Sequence, residues 1–125
     1  MCIIGKPKFT KMAPYEEAYQ KFTEEMNALD YNYHEESYHA VMKYLGSSVL
    51  DKYAALVACS DPKELDYIKK HFWIGKLGLN EDDERLDSAI QQVCHALGES
   101  NNKKHRPTFY YLLIAILKED FNKLN

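Results

Sequence analysis

The stretch Arg106–Glu119, RPTFYYLLIAILKE, decides the fold. Nine consecutive residues in it, Phe109 to Leu117, are apolar or aromatic. Such a run is a membrane anchor, a buried strand or a helix enclosed by other helices. As a helix, nine residues extend about 14 Å, less than half of the roughly 30 Å hydrocarbon core of a bilayer. As a strand the run is solitary, because no other segment of the chain alternates convincingly. A helix apolar on nearly every side is the pattern of one surrounded by others. Burying most of these side chains contributes on the order of 10–20 kcal/mol gross, before chain entropy is subtracted. Pro107 either marks the effective start of this helix or kinks its first turn.

Four more helices surround it by periodicity. The first spans about Pro14 to Leu29, with Tyr15, Ala18, Tyr19, Phe22, Met26 and Leu29 on its inward stripe and Pro14 in its first turn. The second spans about His34 to Leu45, with Tyr38, Val41, Met42 and Leu45 inward, and Gly46 stops it. Residues 47–59 are either a short helix around Val49–Ala55 or an extended apolar segment crossing the core. The third helix opens on SDPKEL, where Asp61 caps, Pro62 takes the first helical position and Glu64 completes a capping box. Leu65, Ile68 and Phe72 face inward, and Gly75 and Gly78 break the pattern. The fourth starts near Asn80, its first turn filled by Glu81, Asp82, Asp83 and Glu84, where the helix dipole favours negative charge. Leu86, Ala89, Ile90, Val93, Cys94 and Leu97 form its stripe before Gly98 ends it. The short link from Gly98 makes the fourth and fifth helices antiparallel neighbours.

The expectation is an all-α fold: a compact single-domain bundle of about five helices over residues 13–125, with the apolar C-terminal helix at its centre. Residues 1–12 form a flexible tail, and Met12 is an alternative start. With 125 residues the chain can bury roughly two thirds of its extended surface and needs no disulfide to fold. A composition 46% hydrophobic and 28% charged excludes a disordered chain. A net charge of −3 gives no global basic field for nonspecific nucleic-acid binding. Ten tyrosines call for hydroxyl partners at the edge of the core. Cys2, Cys59 and Cys94 match no zinc or redox spacing and read as reduced thiols in a cytoplasmic protein. The amino terminus lacks a signal-peptide core, and no segment approaches a membrane span.

Several separated segments carry a resemblance: VACSDPKEL at Val57–Leu65, KLGL at Lys76–Leu79, LDSAI at Leu86–Ile90, Val93–Cys94, and GESNNKKHRPTFYYLL at Gly98–Leu113. Together they resemble a small family of bacterial domains of unknown function. The likeness covers most of the chain after about Tyr15 and is strongest from Val57 to Leu113. It implies an all-helical fold and no established activity, so it supplies no catalytic residue. Pro107 departs from the family pattern, and Met1–Lys11 lies outside it.

Motifs that suggest chemistry do not complete it. HEESYH, His34–His39, puts its histidines at i and i+5, about 140° apart on a helix, so they cannot chelate one ion as an i, i+4 pair does. Glu36 and His39 form one carboxylate–histidine pair of the di-iron type, but no second pair accompanies it. Cys94 and His95 diverge by about 100°. GKLG follows a helix and reads as a stop, not a phosphate loop. A helix-turn-helix reading of the third and fourth helices would set Glu81–Glu84 against phosphate. No cofactor or metal is expected. The leading expectation is a non-enzymatic domain acting through protein contacts or self-association. A small-molecule site or enzyme assembled in three dimensions is the alternative. A third reading is weak anion or nucleic-acid binding at Lys103, Lys104 and Arg106, three charges beside the backbone N–H groups that open the fifth helix. The acidic run Glu81–Glu84 lies about 24 Å away along the fourth helix, too far to neutralise them unless another helix brings Glu64 or Asp66 close.

Overall fold

The structure, a computed structural model, describes residues 14–46, 49, 55–80, 84–98 and 104–124. The tail expected over residues 1–12, Cys2, Glu81–Asp83 and Lys103 lie outside the described residues, as do 47–48 and 50–54.

The element order is α1 (Pro14–Ala28), α2 (Glu35–Leu45), β1 (Leu56–Val57), α3 (Pro62–Tyr67), a π-helical turn (Ile68–Ile74), α4 (Arg85–Ala96), β2 (Lys104–His105), α5 (Arg106–Leu117) and a terminal 3-10 turn (Phe121–Leu124). Among the described residues the fold is all-helical apart from one two-stranded ribbon. α5 is its centre and packs against α1, α2 and α4. Every residue from Arg106 to Ile114 is buried, and Phe109, Leu113 and Ile114 are fully enclosed. Pro107 lies in the first turn, where its missing N–H costs nothing, and marks the start of the helix.

Three local outcomes differ from the expectation. Leu56–Val57 is extended and pairs antiparallel with Lys104–His105, so part of the ambiguous 47–59 segment is a strand. The regular part of α4 begins at Arg85, with Glu84 as its N-cap residue rather than a member of its first turn. Beyond Tyr67, α3 widens: Gly75 N–H donates to Lys70 O at 3.0 Å and Leu77 N–H to Phe72 O at 2.9 Å, both spanning five residues. The wider turn sets Ile68, Phe72 and Trp73, at i, i+4 and i+5, all into the core. A narrower α turn would set Ile68 and Trp73, five residues apart, about 140° from each other. Gly75 closes the turn because a Cβ there would meet the His71 carbonyl oxygen at 2.9 Å.

Tyrosine hydroxyls find partners at the core edge. The Tyr111 ring is enclosed by Phe22, Tyr31 and Phe121, and its oxygen accepts the His34 N–H at 2.9 Å. The Tyr44 hydroxyl donates to the His71 carbonyl at 3.5 Å. Tyr38 is an exception: its hydroxyl is buried without a hydrogen-bond partner among the described residues, and burial, followed by the charge of Glu35, pushes its phenol pKa up.

Candidate functional site

The amino-terminal end of α5 is the first candidate. Lys104 is 3% and Arg106 9% exposed, so neither forms the solvent-facing basic turn expected from the sequence. The carboxylate of Glu64 is paired with the Arg106 guanidinium. The same guanidinium donates to the Leu56 carbonyl at 2.9 Å and to the Tyr110 hydroxyl at 3.2 Å. Arg106 N–H donates to Ala55 O at 2.7 Å. The β1–β2 pairing sets Lys104 and His105 against Leu56–Val57, the segment that leads into α3 and Glu64. Glu64 therefore serves Arg106 instead of a capping box, and Asp61 alone caps α3 by accepting the Lys63 N–H at 3.0 Å.

A carboxylate of the fold itself also stands beside the first turn of α5. Glu25 of α1 accepts from the Thr108 hydroxyl at 2.8 Å and from the His105 backbone N–H. Burial raises the Glu25 pKa, and the Thr108 hydrogen bond partly opposes that rise. His105 is buried with Nδ1 lacking a partner among the described residues. Burial first, and the Lys21 charge second, hold its pKa down at about 4. Burial pushes Tyr110 up to about 12, although the Arg106 charge works against it. The premise for anion docking was unbalanced charge beside open N–H groups. Here Arg106 is paired with Glu64, and the Glu25 carboxylate accepts from the Thr108 hydroxyl.

The cysteine expectation is corrected. Cys59 and Cys94 are joined by a disulfide, with 6.0 Å between their Cα atoms. Cys94 lies on the inward face of α4, as its periodicity implies. Nothing local reveals that the turn after β1 returns Cys59 to that face across 35 residues. The bridge withdraws the free-thiol argument for a reducing compartment. No helix of the described residues is long and apolar enough to cross a membrane.

Histidines assemble no metal centre: among the described residues, no group of three or more His, Cys, Asp or Glu side chains is placed to hold an ion. His39 Nε2 instead lies 3.8 Å from its helical neighbour Glu35 on an exposed face.

The second candidate is a groove of about 600 Å³ between α1 and α2. Tyr15, Glu16, Tyr19, Gln20 and Thr23 form one wall, and Tyr38, His39 and Met42 the other. On α1 the spacings of three and four residues align these side chains along two helical turns. The inward stripe proposed for α1 is only partly covered. Ala18, Phe22 and Met26 are buried, but Tyr15 is 51% exposed, because the stripe overruns the core by one turn. Tyr19 packs edge-on against Tyr38 at 5.2 Å, and its hydroxyl contacts Glu35 and Tyr33. Those two hydrogen bonds, the Glu35 one foremost, drive its phenol pKa up.

Residues 20–124 match the family described as Protein of unknown function (DUF2853). The chain belongs to the DUF2853 family. No curated protein matches it. The matched span of this DUF2853 chain takes in the filled end of α5 and the α2 wall of the groove, and it begins after Tyr19 on the α1 wall. Sequence reasoning found the residues around Arg106 but missed the groove. Periodicity reports which face of a helix is apolar and not where along the helix its partner ends.

Proposed function

We propose that this domain acts through protein contacts made at the α1–α2 groove rather than through catalysis. The observation that carries the reading is the overhang of Tyr15 and Tyr19 beside Tyr38 and Met42, an aromatic and thioether wall partly exposed to solvent. Such side chains are favoured at the centres of interfaces, and methionine adapts to varied partners. The chemistry that an enzyme would need does not converge there. The His39 imidazole is 71% exposed with Glu35 as its neighbour, and the Tyr38 hydroxyl is turned into the protein. A general base needs a substrate position within hydrogen-bond reach of it and of a stabilising donor.

The test is site-specific photocrosslinking in the cells that make the protein. A benzophenone amino acid at position 15 is expected to give a discrete protein adduct, whether with another protein or with a second copy. The same group at Gln92, exposed on α4, is expected to give none. No adduct from position 15, or the same adducts from both positions, removes the support for this reading.

A further inference from the structure

We propose that the Cys59–Cys94 bridge is a site of thiol–disulfide exchange, attacked at Cys59 by a dithiol reductant, and that its cleavage releases residues 58–67 from the body of the fold. The proposal stands apart from the α1–α2 groove. The two ends of the bridge are held differently. Cys94 is among the buried residues of α4, which packs against α5. Cys59 is half-buried in the turn between β1 and α3, and its neighbours Ala58, Ser60 and Asp61 are exposed. From Ala58 to Tyr67 not one residue is buried, and α3 contributes no side chain to the interior. Val57 before this arch and Ile68 after it are both enclosed, so its ends are fixed. Between them it is held by the bridge, by the Glu64–Arg106 pair, by half-buried Leu65 and by the Tyr67 ring, 4.3 Å from that of His71. A segment with so few buried apolar contacts opens at a lower free energy than the core does. The covalent tie to α4 opposes that opening. Without it the arch is the weakest unit described, and its opening draws Glu64 away from Arg106.

The course of the exchange follows from access. A thiolate of the dithiol attacks the Cys59 sulfur; a bond forms between them, and the Cys59–Cys94 bond breaks. Cys94 leaves as a thiolate and takes a proton from water. The second thiol of the reductant gives up its proton and attacks the sulfur joined to Cys59, which closes the reductant into a cyclic disulfide. Cys59 leaves as a thiolate and is protonated in turn. Two electrons pass from the dithiol to the bridge, and the protein gains two thiols. Attack on the other sulfur is disfavoured because Cys94 is only 7% exposed.

The experiment uses the full chain carrying Cys2→Ser, which leaves Cys59 and Cys94 as its only cysteines. Dithiothreitol is added at neutral pH without denaturant. Backbone amide shifts are followed, and samples are alkylated and analysed by mass spectrometry. The bridge is expected to be reduced in the folded chain, with two alkyl groups gained. Amides of Asp61, Glu64 and Leu65, which donate within the arch, should move toward random-coil positions. Those of Phe22, Val41 and Leu113, fully buried elsewhere, should keep theirs. Replacing the reductant by oxidised glutathione should restore the first spectrum. A brief exposure to reduced glutathione, quenched by alkylation, should leave glutathione on Cys59 and the alkyl group on Cys94. Glutathione found on Cys94 instead overturns the assignment of the attacked sulfur. A bridge that yields only after urea has unfolded the chain overturns the exchange site, as do two free thiols before any reductant is added. Arch amides unmoved by full reduction, or a spectrum that collapses throughout, overturn the release of residues 58–67. Failure to regain the first spectrum on oxidation overturns reversible exchange.

Discussion

The end of α5 and the groove between α1 and α2 both hold side chains that seek partners, and the fold treats them in opposite ways. Arg106 and Thr108 obtain theirs from Glu64 and Glu25, which are 42 and 83 residues away in sequence. Tyr15 is left half exposed. The difference is energetic. An unpaired charge or helix end inside a protein costs several kcal/mol, so α5 can be central only if its first turn is fully partnered. An exposed aromatic ring costs the fold little, so a groove lined by such rings is compatible with a stable domain and available for other use.

The largest test of this contrast strikes the helix that the filled end supports. Leu113 is fully buried, and Leu113→Asp should destabilise by more than about 4 kcal/mol and leave the chain unfolded at room temperature. Circular dichroism on heating checks this. A melting point within a few degrees of wild type contradicts a central α5.

Next in size is the bridge. It joins α4 to the turn that follows Leu56, whose carbonyl receives Arg106. Closing a 35-residue separation should stabilise by about 4 kcal/mol through restriction of the unfolded chain. Urea midpoints with and without reductant should differ accordingly, and Cys94→Ala should be indifferent to reductant. Equal midpoints for the oxidised and reduced wild type would speak against the bridge as a stabilising tie.

Arg106→Ala should cost about 3 kcal/mol, since it strands the half-buried Glu64 carboxylate and the Leu56 carbonyl. Arg106→Met combined with Glu64→Gln should recover part of that loss, because the buried charge leaves with its partner. A single substitution as harmless as Tyr15→Ser, for which about 0.5 kcal/mol or less is expected, would erase the contrast between the two regions.

How far these regions could be read from the sequence follows the same division. The burial of α5 was legible in the unbroken run Phe109–Leu117, and the limits of α1 and α2 in their apolar spacing and in Gly46. Asp61 and Pro62 announced α3 because capping is local. The true partner of Glu64 was not legible, since a carboxylate three residues after a cap fits a capping box as well as a distant arginine. The Cys59–Cys94 bond and the β1–β2 pairing were hidden for a similar reason: each depends on where a turn returns in space. The π-helical turn was masked because Ile68 and Trp73 are five residues apart, a spacing that an α-helical reading splits between two faces.

A smaller effect comes from His105. In the unfolded chain its pKa returns to about 6.5, and in the fold it is held near 4. Between those values the unfolded state binds more protons. Stability from this residue is therefore complete above about pH 6.5 and is lost as pH falls toward 4, by roughly 2–3 kcal/mol at pH 4.5. Glu25, whose folded pKa is raised, acts in the opposite sense: protonation as pH falls toward its unfolded value favours the fold. Comparison of wild type with His105→Asn in urea at pH 7 and pH 4.5 isolates the histidine. The variant should lose less stability on acidification, and an equal loss would mean that His105 is not held neutral.

The most direct measurement is titration with inorganic phosphate at low ionic strength, followed by backbone amide shifts in the folded chain. With Glu25 on the Thr108 hydroxyl and Glu64 on Arg106, phosphate should produce no localised shift from His105 to Phe109. A selective, saturable shift of those amides would contradict the account, because it would show that the charge at this helix end is still open to an external anion.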